Sequence, residues 1–333
     1  MTTPIRFAIV GTNTISHKFA EAVALSPCAC VWAVCSRSKD TGEAFASTHH
    51  IETVYTDYEA LLANPDIDAV YIATPNITHK AYTLSALRAK KHVLCEKPMG
   101  ISLAEVKEMQ ACAKANGVIL VEAMRPAFDV GYLEVKKQMQ KLGRIRFAHL
   151  EFCQYSSRYN AFLSGEVLRA FNQTYGNSAL MDIGVYPLHV CAMLFGQARA
   201  ISSHSQFLPG GFEGMGQVTL SYTDHFVTVL YAKIVQSTLP SVILGEKGSL
   251  HIDKLSEPTT LTLCLLGEKE EKIPLTPLSN NMIYEVEVFC KGINHPEILE
   301  EINQNSNLVF QWIDEIRQAN HITFGEADPL FNS

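Results

Sequence analysis

The stretch His92–Val93–Leu94–Cys95–Glu96–Lys97–Pro98–Met99 decides how this chain is read. A short apolar strand core ends abruptly in a carboxylate, an amine and a proline. In an open parallel sheet, ligands bind at the carboxyl ends of the strands. A lysine delivered there, beside backbone stiffened by proline, is well placed for chemistry. Taken alone, the stretch also fits a strand that meets solvent, with Lys97 a surface charge and Pro98 opening the next helix. The context on both sides bears on the choice.

Upstream, Ile5–Val10 is a short apolar run that breaks at Gly11 and is followed by a helical pattern to Leu25. Strand, glycine turn and helix is the setting of a dinucleotide fingerprint, in which a pyrophosphate sits on N–H groups at the positive end of the helix. Gly11, Thr12, Asn13, Thr14 and Ile15 are therefore candidate cofactor ligands. G-x-G-x-x-G would place glycine at 13 and 16, where this chain has Asn13 and Ser16. Asparagine tolerates the left-handed conformation, so Asn13 is expected to stand in for a glycine. Cys30–Cys35 reads as the second strand. Where an NAD site usually places an acidic residue for the ribose hydroxyl, the chain has Ser36, Arg37, Ser38 and Lys39. Cations and hydroxyls at that spot suit a 2′-phosphate, hence NADP with NAD as the alternative.

The alternation continues through Val54–Tyr55, a helix over 58–63, and strand Ala69–Ala73 ending in Thr74, Pro75 and Asn76. A helix over 77–90, the opening strand, a helix capped by Ser102 and Glu105, and strand Val118–Val121 complete it. This predicts an α/β, doubly wound parallel sheet over 1–122, with Gly11, Ser36, Thr74, Glu96 and Glu122 along one edge. Asn76 and His79 flank the Thr74–Pro75 turn and join Glu96 and Lys97 as candidates near the cofactor. From 123 to 333 strand-like runs dominate: 145–152, 200–207, 215–222, 225–234, 241–244, 249–252 and 260–266, with a hairpin connection at Gly245–Gly248. Helices are expected over 132–141, 182–194, 282–291 and 306–319. The second domain is thus α+β, with a large, mostly antiparallel open-faced sheet.

Composition narrows the function. A formal charge of −7 argues against nucleic acid as the main partner. No apolar run approaches a membrane span and the N-terminus leads straight into a strand, so a cytoplasmic location without membrane contact is expected. Nine scattered cysteines form no C-x-x-C, and twelve histidines form no H-x-x-x-H. Reduced thiols and no metal site are expected.

The motif order A-I-V-G-T-N-T-I, V-C-S-R-S, Y-I-A-T-P-N-I-T-H, E-K-P and M-D-I-G-V-Y-P resembles the Gfo/Idh/MocA oxidoreductases over nearly the whole chain. Asp182 and Tyr186 make it most similar to the dihydrodiol dehydrogenase and NADP-linked sugar dehydrogenase branch. The resemblance implies a Rossmann domain and a nicotinamide cofactor. It also implies a C-terminal sheet that often forms the subunit interface, a cis Lys97–Pro98 peptide and a catalytic Lys97. The run Val121–Phe128 lacks the Arg–Phe–x–Pro of many relatives.

Hydride transfer between a carbinol carbon and nicotinamide requires a proton to move at oxygen, and a positioned acid–base group does that. Tyr186 is the candidate. A tyrosine is a poor base near neutral pH unless a cation such as Lys97 favours the phenolate. Asp182, one helical turn earlier, could orient substrate hydroxyls or hold Lys97 charged. Arg125, Arg158, Tyr159 and Asn172 are weaker candidates for a polyhydroxylated substrate, and His189 falls near the same stripe. The plain alternative is that Met181, Ile183, Val185, Leu188, Cys191 and Leu194 form a core and Asp182 is a first-turn carboxylate. The leading expectation is a dehydrogenase or reductase acting on a sugar, polyol or cyclic diol, assembled as a homodimer or larger. A nicotinamide-dependent glycoside-cleaving enzyme and a non-catalytic NADP-binding regulator are the alternatives.

Overall fold

The structure, a computed structural model, describes residues 3–166, 168–276 and 278–325. In chain order β1 (Ile5–Val10), α1 (Thr14–Leu25), β2 (Ala29–Cys35), α2 (Lys39–His49), β3 (Thr53–Tyr55), α3 (Tyr58–Leu62), β4 (Ala69–Ile72), α4 (His79–Arg88), β5 (His92–Glu96), α5 (Leu103–Asn116) and β6 (Leu120–Ala123) alternate strictly. There follow α6 (Arg125–Phe128), α7 (Gly131–Met139), β7 (Ile145–Cys153), α8 (Tyr159–Leu163) and α9 (Val185–Phe195). Then come β8 (Ala200–Phe207), β9 (Glu213–Ser221), β10 (Phe226–Ala232), β11 (Ser241–Gly245), β12 (Gly248–Ile252), β13 (Thr260–Leu265) and β14 (Glu271–Pro274). Two helices, α10 (Met282–Asn294) and α11 (Glu300–Asn320), close the series.

The described residues divide into two compact units: 3–124 with 278–304, and 125–276 with 305–325. This departs from the sequence expectation of a continuous second domain from 123 to 333, whose last eight residues lie outside the described ones. The physical reason is α10. It packs against α1, and Phe289 meets Phe7 with ring centroids 5.4 Å apart.

In the first unit the sheet order is β3-β2-β1-β4-β5-β6, all parallel. Buried on both faces, β4 and β5 are nearly continuous apolar runs, as a covered parallel sheet requires. The strand order reverses between β1 and β4, so the crevice at their carboxyl ends is the topological switch point of the sheet. Helix ends follow local chemistry. The Ser102 hydroxyl accepts from the Glu105 N–H at 3.3 Å, and Gly117 ends α5 in the left-handed region at φ +68°.

In the second unit the order is β14-β13-β12-β11-β7-β10-β9-β8, antiparallel except for the β7–β10 pair. Gly245 pairs with Gly248 across the β11–β12 turn, as its glycines predict. Along β10, Val227, Val229 and Tyr231 point to the buried face, while Phe226 is exposed. The helix α2 and the strand β14 were not foreseen from the sequence.

Candidate active site

The carboxyl edge of the first sheet is built by backbone needs before any ligand is considered. Gly11 has φ +103°, and a Cβ there would lie 2.5 Å from the Ala73 carbonyl oxygen, so only glycine lets β1 turn this close to the end of β4. Asn13 corrects the expectation of a left-handed glycine substitute. Its backbone is extended (φ −84°, ψ −179°) and its side chain caps α1. Oδ1 accepts from the N–H groups of Ile15 and Ser16 at 3.1 Å each, and Nδ2 donates to the Ala73 carbonyl at 2.8 Å. A glycine at 13 could do neither. Thr12 is half-buried and Thr14 exposed at the mouth of the same turn. After β2, Ser36 is buried with its hydroxyl 2.6 Å from that of Thr41, whereas Arg37 stands exposed at the strand end.

The turn after β5 is held from beneath. The Tyr71 hydroxyl donates a short hydrogen bond to one Glu96 oxygen, and the Lys97 N–H donates to the other at 3.2 Å. Glu122, fully buried, accepts from the Met99 N–H at 3.0 Å. The Lys97–Pro98 peptide is cis, as the resemblance implied. His79, offered by the sequence as a cofactor contact, is 1% exposed and ties two turns together. Its Nδ1 lies 2.9 Å from the Pro98 carbonyl and its Nε2 2.8 Å from that of Thr74. Burial lowers its pKa, outweighing the two carbonyls that favour a second proton. Glu96 and His79 therefore shape the Thr74–Pro75–Asn76 and Glu96–Lys97–Pro98 turns, and Lys97 leaves that edge half-buried.

Within the second unit, Asp182 and Tyr186 stand at the start of one helical stretch. The expected helix over 182–194 begins instead as a wide π turn, Leu180–Gly184, that runs into α9. Pro187, which brings no N–H to the helix, follows the π turn by three residues. A π turn is a common local device at functional sites. Glu213 anchors its beginning, accepting from the Leu180 N–H at 2.8 Å, and burial raises that carboxyl's pKa. The Tyr231 ring supports it from below: a Cβ at Gly184 would come within 2.9 Å of the ring, and one at Gly216 within 2.2 Å of the hydroxyl.

The two candidate side chains each meet a cation the sequence did not assign to them. The Asp182 carboxylate pairs with Lys233 at 2.8 Å; that lysine's side chain is 4% exposed and its aspartate's 38%. Lys233 also donates to the Ala170 carbonyl at 2.7 Å and lies 5.0 Å and 5.6 Å from the ring centres of Phe171 and Phe212. Those two rings, with Asn172, Gln173, Phe162 and Leu168, line a cavity of about 500 Å³. Arg125, the first residue of α6, places Nη2 3.3 Å from the Tyr186 hydroxyl and its Nη1 on the Glu257 carboxylate. The Tyr186 ring is 6% exposed and meets Phe152 edge-on at 5.4 Å. Arg158 is exposed, His189 is buried in α9, and Asn172 caps a short turn by accepting from the Thr174 N–H at 2.9 Å. The signal that could have found Lys233 was present: it is the one charge in the apolar run Phe226–Val235, and such a lysine must be paired if buried.

Comparison with known proteins places this architecture. Residues 5–124 match the model of the GFO/IDH/MocA oxidoreductase family's NAD-binding Rossmann fold, and residues 132–251 match the family's C-terminal domain. The chain is 38% identical to the Bacillus subtilis scyllo-inositol 2-dehydrogenase (NADP(+)) IolU, over 90% of this chain and 91% of that protein. It is 30% identical to the mouse trans-1,2-dihydrobenzene-1,2-diol dehydrogenase, over 96% and 98%. Among solved structures, KijD10, a 3-ketoreductase from Actinomadura kijaniata with NADP and TDP-benzene, superposes with a TM-score of 0.86 at 22% identity, covering 96% of this chain and 98% of that one. At that identity the likeness concerns the fold.

Proposed function

Since this chain belongs to the GFO/IDH/MocA oxidoreductase family, we propose that it is an NADP-dependent dehydrogenase or reductase acting on a polyol, sugar or cyclic diol. The observation that carries this reading is the pairing of a glycine turn at the switch point with an exposed Arg37 after β2, where an NAD site would place a carboxylate. The residues suit the cofactor. Gly11 to Ile15 would receive the pyrophosphate at the entrance of α1, and Arg37 with the loop from Ser36 would hold a 2′-phosphate. When bound, NADP supplies the hydride acceptor or donor.

In oxidation, the substrate hydroxyl gives its proton to the Tyr186 oxygen as its C–H bond breaks, leaving a carbonyl. In reduction, Tyr186 returns the proton to the new alkoxide. Lys97 supplies positive charge that favours the oxyanion forms, and Asp182, fixed by Lys233, accepts hydrogen bonds from neighbouring substrate hydroxyls. The first domain serves the dinucleotide; the second serves substrate and self-association in a cytoplasmic homodimer or larger assembly. Phe147 and Phe226 face each other on the sheet at 5.1 Å, with Leu244 opposite Phe147, and Phe226 is 47% exposed; such an apolar cluster favours a second copy. Sedimentation equilibrium showing a monomer at micromolar concentration would count against the assembly.

The function is tested by screening aldoses, inositols and cyclic diols with NADP+ at mildly alkaline pH, following NADPH formed per substrate consumed. Stoichiometric NADPH with Tyr186→Phe and Lys97→Met each about 10²–10⁴-fold slower is expected, the double variant being little worse than either single. Substrate turnover without net NADPH would instead indicate transient use of the cofactor.

A further inference from the structure

We infer that Arg125 is a positioning residue for the proton transfer: its guanidinium orients the Tyr186 hydroxyl and faces the charge left there when the proton moves. This rests on the reading of Tyr186 as the proton carrier.

An arginine carries only donors, so at the 3.3 Å contact Nη2–H donates and the Tyr186 oxygen accepts. The single phenolic proton is then directed away from Arg125. Had a carboxylate or carbonyl stood in Arg125's place, that proton would be committed to it. The guanidinium carbon lies 5.7 Å from the centre of the Tyr186 ring, and Phe152 holds the ring edge-on at 5.4 Å, so the oxygen has little freedom to turn elsewhere. With the Arg125 side chain 18% exposed, its charge is only partly screened from the phenolic oxygen.

Glu257 completes the arrangement. Its carboxylate takes the Nη1 side of the guanidinium, fixing the plane of Arg125 while offsetting part of its charge. The two residues therefore make opposite predictions for the phenolate. Other titratable or charged groups lie on α9 and on the π turn, β7 and β10 packed against it. Asp182 is paired with Lys233. His189 and Cys191 are buried on the helix itself. On β7, the Glu151 carboxylate accepts from Ser237 and lies 3.5 Å from His149. Arg146 pairs with Glu246 and Cys153 is buried. Tyr231, on β10, lies against Gly184 and Gly216. Arg125 is a cation in direct contact with the Tyr186 oxygen.

The test compares Arg125→Met, Arg125→Lys and Glu257→Gln with the unaltered enzyme and with Tyr186→Phe. Two readouts are used: the pH profile of NADP+-linked oxidation, and the tyrosinate absorbance obtained by subtracting the Tyr186→Phe titration. The sequence has twelve tyrosines, so the subtraction isolates the one that matters. Arg125→Met is expected to slow turnover about 10-fold or more at neutral pH and to move the acid limb and the tyrosinate signal to higher pH, the direction set by losing an adjacent cation. NADPH affinity should be unchanged. Arg125→Lys should restore most of the pH shift but less of the turnover, because a point charge lacks the planar fork. Glu257→Gln should move both signals to lower pH, and it keeps the inference testable if Arg125→Met does not fold. Unmoved profiles in Arg125→Met and Glu257→Gln, with Tyr186→Phe inactive, overturn the role of Arg125 alone. Near wild-type turnover in Tyr186→Phe overturns the proton-carrier reading and this inference with it.

Discussion

Replacing Lys233 by methionine keeps the length of the stem and deletes the ammonium. In the native chain that ammonium is 2.8 Å from Asp182 and 2.7 Å from the Ala170 carbonyl, within a side chain that is 4% exposed. Removing one partner of a fully buried pair costs about 3–5 kcal/mol. Here the aspartate is 38% exposed, so water replaces part of the lost interaction and that share falls to about 1 kcal/mol. The Ala170 carbonyl loses a charged donor, about 1.5–3 kcal/mol, and the two ring contacts add about 0.5–1 kcal/mol. Relief from burying an ammonium opposes these terms, leaving an expected net loss of about 2 kcal/mol. The chain has two tryptophans, Trp32 in the first unit and the fully buried Trp312 in the second. In a Trp32→Phe background, Trp312 emission during urea unfolding reports the second unit alone. Lys233→Met should lower its midpoint, Lys233→Arg should recover part, and a double-mutant cycle with Asp182→Asn should give a coupling of at least about 0.5 kcal/mol. An unchanged midpoint, or strictly additive single effects, would refute the view that this ion pair holds the Asp182 turn in place.

Two further outcomes are expected. Arg37→Ala should weaken NADPH binding by about 1.5–3 kcal/mol, the range for charge-assisted hydrogen bonds, and leave NADH nearly unaffected; fluorescence titration with both cofactors checks this, and equal losses would remove Arg37 as the phosphate ligand. In the first unit, burial lowers the pKa of His79, His92 and His49 below the usual 6.5. The unfolded chain therefore binds more protons than the native one as pH falls below about 6.5. Their contribution is intact above that value and is lost on acidification toward the folded-state pKa values. Urea midpoints followed by Trp32 between neutral and mildly acid pH should fall, and His79→Gln should flatten the slope; an unaltered slope would show that His79 takes its proton freely.

Much of the fold was written in local pattern. β1 is Ile5–Val10 as the apolar run and Gly11 imply, and β12 ends at Ile252 as its alternation implies. What the pattern did not carry was long-range. α10 reads as an amphipathic helix wherever it sits, and nothing in 282–294 says that its buried Phe289 belongs against Phe7. The site shows the same division. Lys97, Asp182 and Tyr186 could be singled out as candidates because their motifs are contiguous. The partners of the last two, Lys233 and Arg125, lie 51 and 61 residues away in sequence, and only the sheet and α6 bring them in. Asn13 was misread because its tolerance of left-handed backbone was weighed, when its value is as a side-chain cap.

The return of α10 to the first unit has a consequence for how the protein is made. Once residue 124 has left the ribosome every strand of the parallel sheet is present, yet the apolar surface around Phe7 still lacks Phe289. Another 157 residues (125–281) must be added before α10 begins at Met282, roughly 8–30 s at ordinary elongation rates. For that interval the nascent sheet carries an exposed aromatic face, a natural docking point for a holdase and a liability for aggregation. A fragment ending at 124 should accordingly be soluble only with a chaperone or with a 278–304 peptide supplied in trans, and cooperative unfolding of that fragment alone would show that the sheet does not wait for its last helix.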